Sequence, residues 1–124
     1  MAYEDTPDGL SELLTIRDDD GAILAQNHFD YDARRNLTRD YQAHGGAAIT
    51  DPAAQNVSPF VQYDWSFEDA AAGNRNRIER IVYPTNSGGA APRQINFGYG
   101  TGIDDALNRV VALNDSILNQ DVAT

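Results

Sequence analysis

Residues 21–38 read GAILAQNHFDYDARRNLT. Gly21 opens an apolar and aromatic run that ends at Phe29 and Tyr31. Apolar and polar side chains also alternate over residues 13–17, and three aspartates with the glycine separate the two runs. Aspartate and glycine are turn-forming residues. Two strand-like runs joined by such a turn predict a β-hairpin.

Strand signals recur along the rest of the chain. Alternating or aromatic runs occur at 37–41, 60–67, 78–82, 93–99, 109–113 and 116–122. Segments rich in glycine, proline or polar residues separate them, at 32–36, 44–59, 70–76 and 85–92. The pattern predicts an all-β fold, an antiparallel β-meander of about eight strands arranged as successive hairpins. Helices at 68–73 and 104–113 are the competing interpretation of those two segments.

A tyrosine recurs with a nearly constant spacing. We predict that Tyr31, Tyr63 and Tyr99 each close an aromatic strand, at intervals of 32 and 36 residues. Each interval has room for two strands and two turns, so the repeating unit is a hairpin. Hairpins laid side by side extend a sheet, and we expect its packed face to contain the rings of Phe29, Tyr31, Tyr63, Trp65, Phe97 and Tyr99.

The first of these units resembles the RHS, or YD-repeat, family. That family runs from a glycine-containing turn through a strand to an aromatic-x-Tyr-Asp core, then through a turn to a return strand. Gly21 stands at the early glycine, Phe29 and Tyr31-Asp32 form the core, and Asn36-Leu37 follows in the return. Asp32 is expected to accept hydrogen bonds from backbone amides of its own turn.

The other two units depart further from the family pattern. The second consists of Tyr63-Asp64-Trp65 without the glycine that should follow, and the third has Tyr99 with Asn108-Arg109 only after an insertion. In the first unit, Arg35 stands where the family usually has glycine. If that position needs a positive φ, arginine costs on the order of 1 kcal/mol, with Asn36 as the alternative left-handed residue.

The resemblance implies a structural role. RHS proteins form hollow shells of β-hairpins that enclose a toxin or effector, and related bacterial and animal proteins act at the cell surface. Residues 10–115 would form an arc of such a shell, flanked by tails at 1–9 and 116–124. The expected partners are further repeat segments, in the same or another chain, and an enclosed effector domain. The resemblance also implies a secreted or cell-surface location, and it implies no catalysis and no cofactor.

Composition narrows the other function classes. The net charge is -10, with nine arginines, no lysine and no cysteine. An acidic surface repels nucleic acid and anionic membranes, and a chain without cysteine forms no disulfide or thiolate zinc site. Residues 1–30 lack the pattern of a signal peptide, and no apolar run approaches the roughly 20 residues of a membrane span.

Two alternatives to the structural role remain. Trp65 and its aromatic neighbours could form a binding module for surface glycans or a partner protein. The pairs Asp104-Asp105 and Asp64 with Glu68 could serve a small acidic hydrolase. His28 and His44 lack the spacing of metal ligands, so we predict no metal site.

Overall fold

The fold is an all-β antiparallel meander, as the sequence predicts. The computed structural model describes residues 1–70, 73–85, 91–116 and 120–123. Within these ranges there are nine strands and one short helix: β1 (Ala2–Asp5), β2 (Ser11–Arg17), β3 (Ile23–Tyr31), β4 (Leu37–Ala43), β5 (Phe60–Ala70), β6 (Gly73–Val82), β7 (Gln94–Tyr99), α1 (Ile103–Ala106), β8 (Val110–Asp115) and β9 (Gln120–Ala123). No helix in the described ranges is long and apolar enough to cross a membrane.

The chain divides into two compact units, Met1–Val61 and Gln62–Thr124. In unit 1, the first of these, β1 pairs with β2, β2 with β3 and β3 with β4, all antiparallel. In unit 2, each strand from β5 to β9 pairs antiparallel with the next. Strand order therefore follows chain order within each unit, as expected of consecutive hairpins.

The three hairpins of unit 1 have turns of the same five-residue type. These turns are Thr6–Leu10, Asp18–Ala22 and Asp32–Asn36. In each turn the first amide donates to the last carbonyl, at 2.7, 3.0 and 2.9 Å, and the fourth amide donates to the first carbonyl, at 2.9, 3.1 and 3.0 Å. The strand register also shifts beside each turn. This combination is a common hairpin connection in which a left-handed residue forms a β-bulge.

The fourth residue of every such turn is left-handed. Gly9, Gly21 and Arg35 have φ of 81°, 86° and 67°. The first residue is Thr6, Asp18 or Asp32, and its side-chain oxygen accepts a hydrogen bond from the last amide of its turn. The sequence rule for these hairpins is therefore a threonine or aspartate followed three residues later by a residue that tolerates positive φ.

Unit 1 buries polar side chains together with one tyrosine. Gln26 donates to the Thr15 hydroxyl at 2.9 Å and accepts from the Ala48 amide at 2.9 Å. Tyr41 is 2% exposed and lies 4.9 Å from the Phe60 ring, centroid to centroid. The loop after β4 therefore covers one face of the sheet. Phe29 and Tyr31, which we expected in the packed core, are only half-buried.

Unit 2 buries a carboxylate. Asp115, at the end of β8, is fully buried and forms an ion pair with Arg93, whose Nε donates to it at 3.0 Å. The Arg93 guanidinium also lies 5.9 Å from the centroid of the Tyr83 ring. Hydrogen bonding to Asp115 and its negative charge raise the pKa of Arg93. The predicted core residues Tyr63, Trp65, Phe97 and Tyr99 are half-buried, like their counterparts in unit 1.

Several predicted boundaries are wrong. The turn expected at 70–76 is much shorter, because Ala70 already pairs with Gly73. The competing helix at 104–113 is limited to 103–106, and the strand predicted at 109–113 is present as β8, which begins at Val110 because Asn108, with φ 54°, ends the helical path. The helix considered at 68–73 is replaced by the ends of β5 and β6 over the described residues. Residues 1–9, assigned to a tail, contain β1, and β9 begins within the strand predicted at 116–122 and extends one residue beyond it.

Candidate functional site at the tyrosine turns

Tyr31 and Tyr99 occupy equivalent places in the two units. Each is the last residue of its strand, β3 or β7, and each donates its hydroxyl to a carbonyl of the preceding strand. Tyr31 reaches the Ser11 carbonyl at 2.7 Å, and Tyr99 reaches the Ile78 carbonyl at 2.7 Å. The hydroxyls therefore tie β3 to β2 and β7 to β6 at the same point of the hairpin.

The pairing beyond each tyrosine is also alike. Tyr31 pairs with Leu37 and Tyr99 with Val110, and in both cases the register shifts at the tyrosine. The residue two positions before each partner is left-handed: Arg35 with φ 67° and Asn108 with φ 54°. The ends of these two hairpins therefore share their local geometry. Asn108-Arg109 occupies the place of Arg35-Asn36.

Burial shifts both tyrosine hydroxyls in the same direction. Burial raises the pKa of Tyr31, and the charges of Asp40 and Asp5 raise it further. Burial also raises the pKa of Tyr99; Arg77 lowers it and Glu79 raises it, so the net shift is upward. Both hydroxyls are therefore neutral donors at physiological pH, suited to structural hydrogen bonds rather than to proton transfer.

Asp32 organises the turn after Tyr31, as the sequence predicts. Its Oδ1 accepts from the amides of Arg34 and Asn36, both at 2.9 Å, and its Oδ2 accepts from Asn36 Nδ2 at 3.0 Å. Partial burial raises the pKa of Asp32, but these hydrogen bonds and the charge of Arg34 outweigh it, so the net pKa is lowered. The carboxylate is therefore committed to holding the chain reversal.

Arg35, not Asn36, takes the left-handed conformation of this turn, with φ 67°. Its side chain crosses to the first turn, where Nη2 donates to the Asp8 carbonyl at 3.2 Å. Glycine fills the same place in the two preceding turns. Arg35 is therefore a strained residue within an otherwise regular series of hairpins.

Arg35→Gly is expected to raise the free energy of unfolding by about 1 kcal/mol, because glycine adopts positive φ without the steric cost that an L side chain meets. Arg34→Gly, next to it and also exposed, is the matched control and should lower stability by up to about 1 kcal/mol through added freedom of the unfolded chain. Urea denaturation of both variants measures the difference. A destabilised Arg35→Gly protein would show that the hydrogen bond to Asp8 outweighs the backbone strain.

Arg77 organises the corresponding turn of unit 2. This β6 residue is 8% exposed. Its Nη1 and Nη2 donate to the Asp105 carboxylate and carbonyl at 2.7 and 2.6 Å, and its Nε donates to Asn108 Oδ1 at 2.6 Å. The guanidinium carbon lies 4.9 Å from the Tyr99 ring centroid. The Arg77 side chain therefore holds helix α1, the left-handed Asn108 and the ring of Tyr99 in place.

The second predicted unit is not a hairpin end. Tyr63 lies inside β5, and the prediction that it closes a strand is wrong. Asp64 accepts from Arg80 Nε at 2.7 Å and from Gln62 Nε2 at 2.7 Å, so it joins a cross-strand ion pair instead of a turn. Trp65 pairs with Ile78 after a register shift. The missing glycine after Asp64 was the sequence signal for this departure.

A shallow cavity of about 500 Å³ lies at the Tyr31 end of unit 1. Carboxylates dominate its polar lining, and Arg35 is its cation; the full lining is Thr6, Asp8, Leu10, Glu12, Phe29, Asp30, Tyr31, Asp32, Ala33, Arg35 and Thr38. No group of three potential metal ligands occurs among the described residues. The Asp32 carboxylate accepts the hydrogen bonds of its own turn. The Asp30 Oδ1 atom lies 3.2 Å from His28 Nε2.

Sequence reasoning missed two of these organising residues. Thr6 lies within residues 1–9, which we predicted to be a tail, although its spacing to Gly9 is the same as that of Asp18 to Gly21. Arg77 had no such signal, because its partners Asp105 and Asn108 lie far along the chain and become neighbours only when β6 and β7 pair. No family model, curated protein or solved structure matches this chain.

Proposed function

We propose that this chain is a structural β-sheet wall segment of the RHS or YD-repeat kind, without catalysis of its own. The observation that carries the proposal is the turn shared by the three successive hairpins of unit 1, which adds strands one after another in chain order. Repetition of one hairpin unit is how a sheet is extended indefinitely, and such units depend on neighbours for stability.

The use of the polar side chains supports the same role. Asp32, Arg77 and both repeat tyrosines are engaged in tying strands and turns together. Among the described residues, every buried side-chain nitrogen or oxygen has a hydrogen-bond partner within the protein. These groups stabilise the fold, whereas a catalytic site needs groups held ready for a substrate.

The resemblance of residues 21–38 to the repeat adds the biological setting. In that setting the partners are further repeat segments and an enclosed effector domain, and the protein is secreted or displayed at a cell surface. Such a wall would keep solvent away from the domain that it encloses. Its function would depend on the area of the sheet and on the pairing of strand edges, and not on a catalysed reaction.

The test is to recover the native protein with an affinity tag inserted after Gln55, an exposed position in the loop between β4 and β5. A wall segment should elute as part of a larger assembly, with the β1 amides exchanging hydrogen at least tenfold more slowly than in the isolated chain, roughly 1.4 kcal/mol of added protection. A monomer whose β1 amides exchange at the isolated rate would contradict the proposal.

A further inference from the structure

Strand β1 (Ala2–Asp5) presents a free edge. All four residues are exposed, and among the described strands only β2 pairs with it, through register partners such as Tyr3 with Leu14 and Glu4 with Leu13. Every second N–H and C=O along its outer side therefore points away from the protein. Such an edge is a template for an added strand.

Carboxylates predominate in the sequence around this edge. Residues 1–16 contain four carboxylates, those of Glu4, Asp5, Asp8 and Glu12, and no basic residue. Over residues 1–61 there are eleven acidic residues against four arginines. Negative potential therefore accompanies the unpaired backbone groups, and it favours approach of a cationic strand.

A second copy of this chain is a poor occupant of the edge. Each copy carries a net charge of -10 and no lysine, so like charges would face each other. The edge is also short and shifts register between Glu4 and Asp5. Short, charged and irregular edges are how proteins resist pairing with themselves. An oppositely charged strand meets no such repulsion, because the same carboxylates then attract it.

A cavity at the turn that follows β1 suits long basic side chains, although no residue of β1 itself lines it. Its lining begins at Thr6, the residue directly after β1, and includes Asp8, Glu12 and Phe29, with Arg35 as its one cation among several carboxylates. Tyr3, on β1 itself, is 62% exposed. Aliphatic stems can lie on aromatic surface while their charged ends reach carboxylates, and aromatic faces also attract cations directly.

We propose that β1 receives a basic extended strand from a partner protein, which adds to the sheet edge while its lysine or arginine side chains face the carboxylates of residues 4–12. This inference deepens the wall role and rests on it, because it names the chemistry of the neighbour at one edge. Main-chain pairing supplies the geometry, and the charges supply the selectivity.

The test uses the intact chain and three labelled eight-residue peptides. The first alternates lysine with valine and threonine, the second has glutamine in place of lysine, and the third keeps the lysines but has proline at alternate positions. Fluorescence anisotropy gives the affinity, and hydrogen exchange reports protection of the amides of residues 2–5. The lysine strand should bind at least about tenfold tighter than the glutamine strand at low salt, and the ratio should fall toward one above about 0.5 M salt.

Charge variants locate the effect. Glu4→Gln with Asp5→Asn should weaken binding of the lysine strand by at least about threefold. Asp19→Asn with Asp20→Asn removes the same charge from an exposed turn and should weaken binding less than twofold, by long-range screening alone. Tight binding of the proline peptide, or binding without protection of β1, would overturn the proposal.

The outcomes separate this inference from the wall role. Equal protection of β1 by the lysine and glutamine strands would overturn the basic partner while leaving the open edge of a wall segment intact. Failure of all three peptides to protect β1 would overturn the inference, and the wall role would still be judged by the size and exchange behaviour of the native assembly.

Discussion

Arg77→Met is expected to lower the free energy of unfolding by about 2–3 kcal/mol. Methionine fills much of the same volume, but it removes the donors to Asp105 and Asn108 and the cation over the Tyr99 ring. Because Arg77 is only 8% exposed, little water can replace the lost hydrogen bonds at this point. Urea denaturation followed by circular dichroism measures the change, with a constant m-value confirming that the folded state persists.

Arg80→Met is the matched control on the same strand. Its guanidinium pairs with Asp64, but the Arg80 side chain is 44% exposed, so its loss should cost less than about 1 kcal/mol. Arg77→Lys keeps the charge without the planar fork and should recover less than half of the loss. Equal costs for Arg77→Met and Arg80→Met would show that the cluster around Tyr99 adds no more than a surface ion pair.

Fold class could be predicted from the sequence because it depends on local signals. The alternation of residues 13–17, the turn ending at Gly21 and the aromatic strand ending at Tyr31 are each readable within a few residues. Their combination fixes a hairpin, since strand, turn and register support one another. The same reasoning correctly gave Asp32 its role, because an aspartate bonding to its own turn is a local event.

The repeat was only partly readable. Tyr31 and Tyr99 each end a strand as predicted, but the same spacing wrongly included Tyr63, which lies within a strand. The more regular signal was the turn itself, where Thr6, Asp18 and Asp32 each precede a left-handed residue by three positions. A tyrosine can occur anywhere on a sheet face, whereas positive φ restricts which residues a turn accepts.

The buried groups were the least predictable. Tyr41 is the most buried hydrophobic residue among those described, yet nothing distinguishes its strand from the more aromatic one at β5. Thr15, Gln26 and Asp115 are polar residues that the loop or an ion pair covers. Their burial depends on long-range contacts, and residue type alone would have placed them on the surface.

Asp32→Ala is expected to lower the free energy of unfolding by about 1–2 kcal/mol, less than for Arg77 because the turn is partly solvated. The change removes the acceptor of three hydrogen bonds, from Arg34 and Asn36, and leaves Arg35 strained without the contacts that hold its conformation. Asp19→Ala, in the exposed β2–β3 turn, removes the same charge and should stay within about 0.5 kcal/mol of the parent protein. Thermal and urea denaturation at pH 7 give both values.

The cost of Asp32→Ala should depend on pH in one direction. The folded state lowers the pKa of Asp32, so its stabilisation is fully present above the unfolded-state value of about 3.9. It is lost as the pH falls below that value and through the lower folded-state pKa, where both states bind the proton. The stability difference between parent and Asp32→Ala should therefore be constant from pH 5 to 8. It should shrink steadily below about pH 4. A parent–variant difference that is unchanged down to about pH 2 would mean that the ionised carboxylate is not what holds the turn.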